Sequence, residues 1–255
     1  MPCQSGMGCP SGPSMRRALR ILLAVVGLLL LAAVLLFAWG YHNARARPVI
    51  VEQRIELAGA KQPVRVALIS DTHYGWPDMR TGRLNAIVSQ VNAQKPDLIL
   101  LAGDYMGGKW LDWPRSWLEE ALPPLAALKA PLGVYAVPGN HDEPLWTPRV
   151  MARQIAPVLL ARRGVQAGPL WIQGFDSSAH INEPTAMIRA TKPGPALLLM
   201  HEPEQLLWTD EKPRPGQLAL AGHTHGGQVL LPFIGPARNL IGDPLHCRRG
   251  LCKMN

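Results

Sequence analysis

Five short, nearly unbroken apolar runs, each ending in a cluster of Gly, Asp, Asn or His, constrain this chain more than any other feature. Residues 64–70 (VRVALIS) precede Asp71, residues 98–102 (LILLA) precede Gly103-Asp104, and residues 133–137 (GVYAV) precede Pro138-Gly139-Asn140-His141. Residues 196–200 (ALLLM) precede His201, and residues 217–221 (QLALA) precede Gly222-His223-Thr224-His225. Strands buried on both faces read as such runs, in sheets covered by helices. Helical patterns over 80–93 and 116–128 fall between them, with a further helix expected over 148–163 although Pro157 interrupts it. Residues 170–175 read as another strand. The expected fold class is therefore α/β.

In open α/β sheets the loops at the carboxyl ends of the strands converge on one crevice, which is where ligands bind. Five loops would thus bring Asp71, His73, Asp104, Asn140, His141, His201, His223 and His225 to one edge, using five of the eight histidines of the chain. Each residue alone has an ordinary structural explanation; the whole set, every time just after a buried strand, does not. Carboxylates, an amide and imidazoles brought together repel or desolvate one another unless a cation sits among them, and all are lone-pair donors. Residues i and i+2 of an extended segment share a side, so Asp71 pairs with His73 and His223 with His225. A donor set of oxygen and nitrogen without sulfur fits Mn, Fe or Zn, with Mn favoured, and there are donors enough for two divalent ions. Two such ions about 3.5–4 Å apart suit phosphate-ester hydrolysis.

A second constraint lies near the amino terminus. Residues 21–39 (ILLAVVGLLLLAAVLLFAW) carry no charge, and a helix of that length spans roughly 28 Å, about the hydrocarbon thickness of a bilayer. Arg16, Arg17 and Arg20 precede it; Arg45 and Arg47 follow, with Trp39 and Tyr41 at the interface position. A signal anchor with its amino terminus in the cytoplasm is expected. A cleaved signal peptide is the rival, since Ala44 and Ala46 form an A-x-A pattern.

The net charge of +8 belongs to the chain's ends: residues 61–243 hold 17 Lys and Arg against 16 Asp and Glu, and the remaining segments 9 against 2. A near-neutral main domain lacks the basic stripe that nucleic-acid binding needs, so no nucleic-acid partner is expected. No cysteine lies between residues 16 and 246; Cys247 and Cys252 are read as two incidental cysteines, with a disulfide between them as the alternative.

The series Asp71-Thr72-His73, Gly103-Asp104, Gly139-Asn140-His141-Asp142, His201 and Gly222-His223-Thr224-His225 resembles the calcineurin-like metallophosphoesterase superfamily. The longer strings LISDTHYG and GHTHGGQVLLPFIG resemble its membrane-anchored bacterial phosphodiesterase branch. The resemblance implies a four-layer α/β/β/α sandwich. It also implies that Asp71, His73 and His225 hold one metal, that Asn140, His201 and His223 hold the other, and that Asp104 bridges them. His141 would act on the leaving group, and Asp142 would orient His141. Thr72 departs from the Leu more usual in this branch.

The expected organisation is a disordered basic leader (1–20), a transmembrane helix (21–41), a linker with a first strand region (42–61), the phosphoesterase domain (62–246) and a carboxyl-terminal end (247–255) cut short relative to the family. The implied protein is a single-pass, extracytoplasmic bacterial membrane hydrolase of phosphodiesters or pyrophosphates. The anchor points to lipid-linked phosphate substrates. The competing reading is a truncated membrane module that binds metal without turnover.

Overall fold

The structure is a computed structural model and describes residues 15–107, 118–142, 158–177, 184–226, 230–231, 235–236 and 250–252. The chain divides into two compact units, residues 1–47 and 48–255.

The first unit is the helix α1 (Met15–Ala44), 30 residues long with none buried. It is long and apolar enough to cross a membrane, with mean hydropathy 3.2 in its most apolar window. The helix overruns the expected 21–41 at both ends. Residues 15–20, expected in a disordered leader, are helical, because Met, Arg, Ala and Leu are all good helix formers. The rest of that leader, residues 1–14, lies outside the described residues. At the other end Pro48 and the residue before it resist helical geometry. There Phe37 stacks on Tyr41 with ring centroids 6.4 Å apart, and the Arg45 guanidinium lies 5.4 Å from the Tyr41 ring centre. Amphipathic rings and cations of this kind favour the water–lipid boundary.

The second unit opens with an irregular segment. No strand forms within 42–61 among the described residues; β1 (Val66–Ile69) begins later, after the turn at Gly59 and after Pro63. Four parallel strands then make one sheet in the order β1, β2 (Leu98–Ala102), β3 (Val134–Val137) and β4 (Val158–Leu159). A second sheet runs β5 (Gly164–Ala167), β6 (Leu170–Gly174), β7 (Ala196–Leu199) and β8 (Gln217–Leu220), antiparallel only between β5 and β6. Residues 230–231 (β9) and 235–236 (β10) pair as a separate antiparallel ribbon.

Side-chain alternation along the strands builds the layers. Leu98, Leu100 and Ala102 face the second sheet and meet Ile172, Leu197 and Leu199. Ile99 and Leu101 face the opposite way, onto α2 (Thr81–Ala93) through Leu84 and Val88 and onto α3 (Leu118–Ala126) through Leu122 and Leu125. Leu198 and Met200 project outward from the second sheet and pack with Met187 and Ile188 of α4 (Pro184–Ala190) and with Leu206 of the 3-10 turn Pro203–Leu207. These are the four layers, α/β/β/α, that the resemblance implies.

The carboxyl-terminal end of the helix expected over 148–163 is not helical. Of residues 148–163, those up to 157 lie outside the described residues, and Val158–Leu159 is a strand paired with Tyr135 and Ala136. Pro157 blocks helix continuation, and the free edge of β3 supplies a ladder for the β-branched Val158.

Candidate metal centre

The ladders continue past the strands and carry the donors with them. Beyond β1 and β2, the Asp71 N–H donates to the Gly103 carbonyl at 3.1 Å and the His73 N–H to the Asp104 carbonyl at 3.0 Å. Beyond β7 and β8, the Gly222 N–H donates to the His201 carbonyl at 3.0 Å. The two sheets are stitched together at this edge: His201 Nδ1 donates to the Ala102 carbonyl at 2.7 Å, and the His223 N–H donates to both Asp71 oxygens at 3.1 Å.

Close approach of the β2 and β3 loops requires glycine at 103. Its φ is +83°, and a Cβ there would sit 2.6 Å from the Gly139 nitrogen and 2.9 Å from His201 Nδ1. Among the described residues, seven non-glycine residues have positive φ, and five of them are Asp71, His73, Asp104, His223 and His225. Backbone in this region is strained for L-residues and concentrates at sites where geometry serves a ligand.

Two donor groups result, and Asp104 belongs to both. Asp71, His73, Asp104 and His225 form one, and Asp104, His201 and His223 the other, with ligand atoms in each group within 4.8 Å of one another. His73 Nε2 lies 3.1 Å from His225 Nε2 and 3.5 Å from Asp104 Oδ2, while His225 Nε2 lies 3.5 Å from Asp71 Oδ1. In the second group His201 Nε2 is 3.1 Å from Asp104 Oδ2, and Asn140 Oδ1 stands 3.0 Å from both His201 Nε2 and His223 Nδ1. The carboxyl-end edge thus unites all seven donors read from the sequence.

Hydrogen bonds fix which imidazole nitrogens face inward. His73 Nδ1 lies 3.0 Å from the carbonyls of Met106 and Gly107, which only accept, so Nδ1 carries the proton and Nε2 presents its lone pair. Lone pairs of His73, Asn140, Asp71 and Asp104 therefore converge within a few ångströms, and His225 Nε2, 3.1 Å from His73 Nε2, donates to it as long as no metal is bound. A cation relieves that repulsion, so the donor set fits two divalent ions.

The charge state reflects the same crowding. Burial pulls the His201 imidazole down most strongly, but its hydrogen bond to Asp104 and the charges of Asp104 and Glu202 lift it to about 9. Burial pushes Asp104 up, yet His201, the His141 N–H and His73 together hold it at about 2. His225 is lowered by burial and by the neighbouring His73. Without a metal, a proton on His201 thus takes over part of a cation's role.

The two residues expected to act on the leaving group part company. His141 is exposed at the mouth, its ring centroid 5.3 Å from that of His73 and its N–H donating to Asp104 Oδ1 at 2.9 Å. Asp142 is buried and differs from the expectation that it orients His141. Its Oδ2 accepts the N–H groups of Gly139 at 2.8 Å and Asp104 at 2.9 Å, and its Oδ1 those of Tyr105 at 2.9 Å and Met106 at 3.3 Å. The carboxylate clamps the Asp104 loop to the β3 loop, a task that the string Gly-Asn-His-Asp does not disclose because every partner is backbone. Burial pushes this carboxyl up to about 6, with the Asp104 charge adding to it, so near neutral pH it remains a four-fold acceptor.

Sequence reasoning also missed Glu204, whose Oε1 lies 3.4 Å from His223 Nε2. The string His201-Glu202-Pro203-Glu204 was the available signal. The opposite edge of the sheets carries a groove of ≈ 460 Å³ beside Gln62, Asp97 and Leu132. Asp97 is occupied there by the Arg65 N–H at 2.7 Å, which leaves that groove without comparable chemistry.

The fold and the donor set define the class: a two-sheet α/β sandwich with a candidate two-cation centre at the carboxyl ends of its strands. Comparison with known proteins identifies the family. The chain belongs to the calcineurin-like phosphoesterase family, whose match covers residues 64–227 and so includes all nine residues singled out above. It is 30% identical over 234 residues to an uncharacterized metallophosphoesterase of Helicobacter pylori strain J99, covering 87% of this chain and 60% of that one. It is 29% identical over 225 residues to the transmembrane protein with metallophosphoesterase domain of Danio rerio, covering 80% and 50%. It is 31% identical over 191 residues to phosphodiesterase YaeI of Escherichia coli K12, covering 68% and 64%. The chain thus spans about half to two thirds of the length of these curated relatives. Cys252 is disulfide-bonded, which favours the disulfide alternative over the reading of incidental cysteines.

Proposed function

We propose that the protein is a membrane-anchored phosphoesterase with a dinuclear metal centre, hydrolysing a phosphodiester or pyrophosphate bond. The observation that carries this reading is Asp104, shared by two donor groups drawn from four loops, with Asn140 of a fifth beside the second group. Asp71, His73 and His225 would hold one ion, Asn140, His201 and His223 the other, and Asp104 both. Two divalent ions held there would activate water and neutralise phosphoryl charge. Manganese is the favoured metal. The chain's own residues do the rest. Asp142 holds the Asp104 loop in register, and the His73 tautomer is fixed by the Met106 and Gly107 carbonyls. His141, exposed at the mouth, donates a proton to the leaving oxygen or stabilises its charge.

The apolar helix α1 supports single-pass anchoring at the bacterial cell membrane. The disulfide at Cys252 and the excess of arginines ahead of α1 favour an extracytoplasmic domain spanning about 62–246. A lipid-linked phosphate substrate follows from the anchor, and the near-neutral segment 61–243 argues against nucleic acid.

The test is hydrolysis of bis-p-nitrophenyl phosphate by the full chain in detergent, loaded with Mn²⁺. Asp104→Asn should abolish turnover and strip metal. His141→Ala should lose roughly 10²–10⁴-fold in kcat while retaining both ions. A folded, metal-loaded wild type without turnover on aryl, lipid-linked or pyrophosphate substrates would leave only an idle metal-binding module.

A further inference from the structure

We propose that Glu204 is a positioning residue: it holds His223 in the tautomer protonated at Nε2, so that Nδ1 is the atom offered to the second cation. The inference rests on the two-cation reading above and adds to it the group that sets the chemistry of one ligand.

His223 is the one donor of its group whose inward atom is Nδ1, 3.0 Å from Asn140 Oδ1 and 3.2 Å from His201 Nε2. A neutral imidazole has one proton, and its position decides which nitrogen can ligate. Two acceptors compete for that proton: Asn140 Oδ1 on the inward side, a neutral amide oxygen 3.0 Å from Nδ1, and on the outward side a carboxylate, which as the charged acceptor holds it the more strongly. Glu204 Oε1 lies 3.4 Å from Nε2, and both side chains are mostly shielded, at 13% exposure for His223 and 16% for Glu204. A carboxylate behind an imidazole attracts the Nε2 proton, leaves the Nδ1 lone pair free and raises its basicity.

Glu204 is itself held in place. It stands in the 3-10 turn Pro203–Leu207, with proline in the first turn. Buried Glu202 tethers that turn, accepting Ser177 Oγ at 2.6 Å and Gln205 Nε2 at 2.9 Å, and Gln205 Nε2 also reaches the Asp176 carbonyl at 2.9 Å. The turn that follows the ligand His201 thus delivers an orienting carboxylate to the ligand His223, which lies 22 residues further along.

The experiment uses the full chain in detergent, ¹⁵N-labelled at histidine and stripped of metal, then titrated with Mn²⁺ alone. In the metal-free wild type, long-range ¹H–¹⁵N spectra should show His223 protonated at Nε2, its signals identified by their loss in His223→Gln. Glu204→Gln offers only a neutral acceptor, no stronger than Asn140 Oδ1, and should show a mixture of the two tautomers. Glu204→Leu and Glu204→Ala offer none, so the Nδ1–H form should become populated. In both, the weaker of the two Mn²⁺ affinities should fall roughly 10–100-fold with the stronger unchanged. Unchanged His223 tautomer and unchanged second-site affinity in the two acceptor-free variants would overturn the proposal. If the wild type takes up no second Mn²⁺, the two-cation reading fails on its own, and the metal-free tautomer comparison still decides the role of Glu204.

Discussion

Raising the pH from about 7 to about 9 should tighten metal binding at the proposed His201 site far more than at the His225 site. The reasoning starts from where protons sit before metal arrives. His201, lifted to about 9, is an imidazolium near neutrality, donating to the Ala102 carbonyl and facing Asp104. A cation must expel that proton, so below a pH of about 9 affinity should rise tenfold for each pH unit, roughly 100-fold between pH 7 and 9. His225 is shifted the opposite way, toward the neutral form, and loses no proton at pH 7. The proposed Asp71, His73 and His225 site should therefore fill first, and the second ion should release about one proton as it binds. Calorimetric titration with Mn²⁺ in two buffers of different ionisation enthalpy counts that proton directly. Two equivalent affinities that stay flat from pH 7 to pH 9, with no proton release, would refute the argument. They would mean either that His201 is not a ligand or that Asp104 does not hold its proton.

Two further outcomes follow from buried groups near the centre. Thr72 is 6% exposed and its hydroxyl has no hydrogen-bond partner among the described residues, so Thr72→Val should stabilise the protein by about 1 kcal/mol, read as a higher Tm. Asp142→Asn turns an amide N–H toward two of the four backbone N–H groups that the carboxylate now accepts. It should destabilise by about 1–3 kcal/mol in urea unfolding and weaken metal uptake at both sites, because Asp104 loses its register.

What was legible in the sequence follows from how strands are buried. β2 and β7 lie between two layers, so every side chain is apolar, and LILLA and ALLL stand out without any neighbour being known. The candidate ligand set was readable for a related reason: polar residues at the ends of such strands have nowhere to go but the shared edge. The missed features depend on partners that a linear reading does not supply. β4 is two residues long and exists because β3 offers an open ladder. Asp142 bonds to amides 36 to 38 positions away as well as to Gly139 close by. Glu204 earns its place through the fold of the 3-10 turn rather than through spacing from His223. The overrun of α1 past residues 21 and 41 is a matter of helix propensity outside the apolar core, where hydropathy carries no signal.

The clustering of left-handed backbone at the donors separates stability from metal binding, and His225 is where the two are easiest to pull apart. Its φ is +50°, its side chain is exposed, and its Nε2 stands 3.1 Å from the unprotonated Nε2 of His73. Glycine adopts that backbone without the roughly 1–2 kcal/mol penalty of an L-residue, set against about 0.5 kcal/mol for the partly exposed hydrogen bond to His73 that it gives up. Glycine's greater freedom in the unfolded chain offsets part of this gain, about 0.5–1 kcal/mol. In chelator, His225→Gly should therefore melt at or slightly above the wild-type temperature. With saturating Mn²⁺ the order should reverse, since an ion present at about 100 times its dissociation constant stabilises the wild type by about 2.7 kcal/mol and the variant by much less. Thermal melts of both proteins with and without metal measure the crossing. A variant that melts lower by the same margin in both conditions would show that His225 contributes packing rather than ligation, and that its strained backbone has another cause.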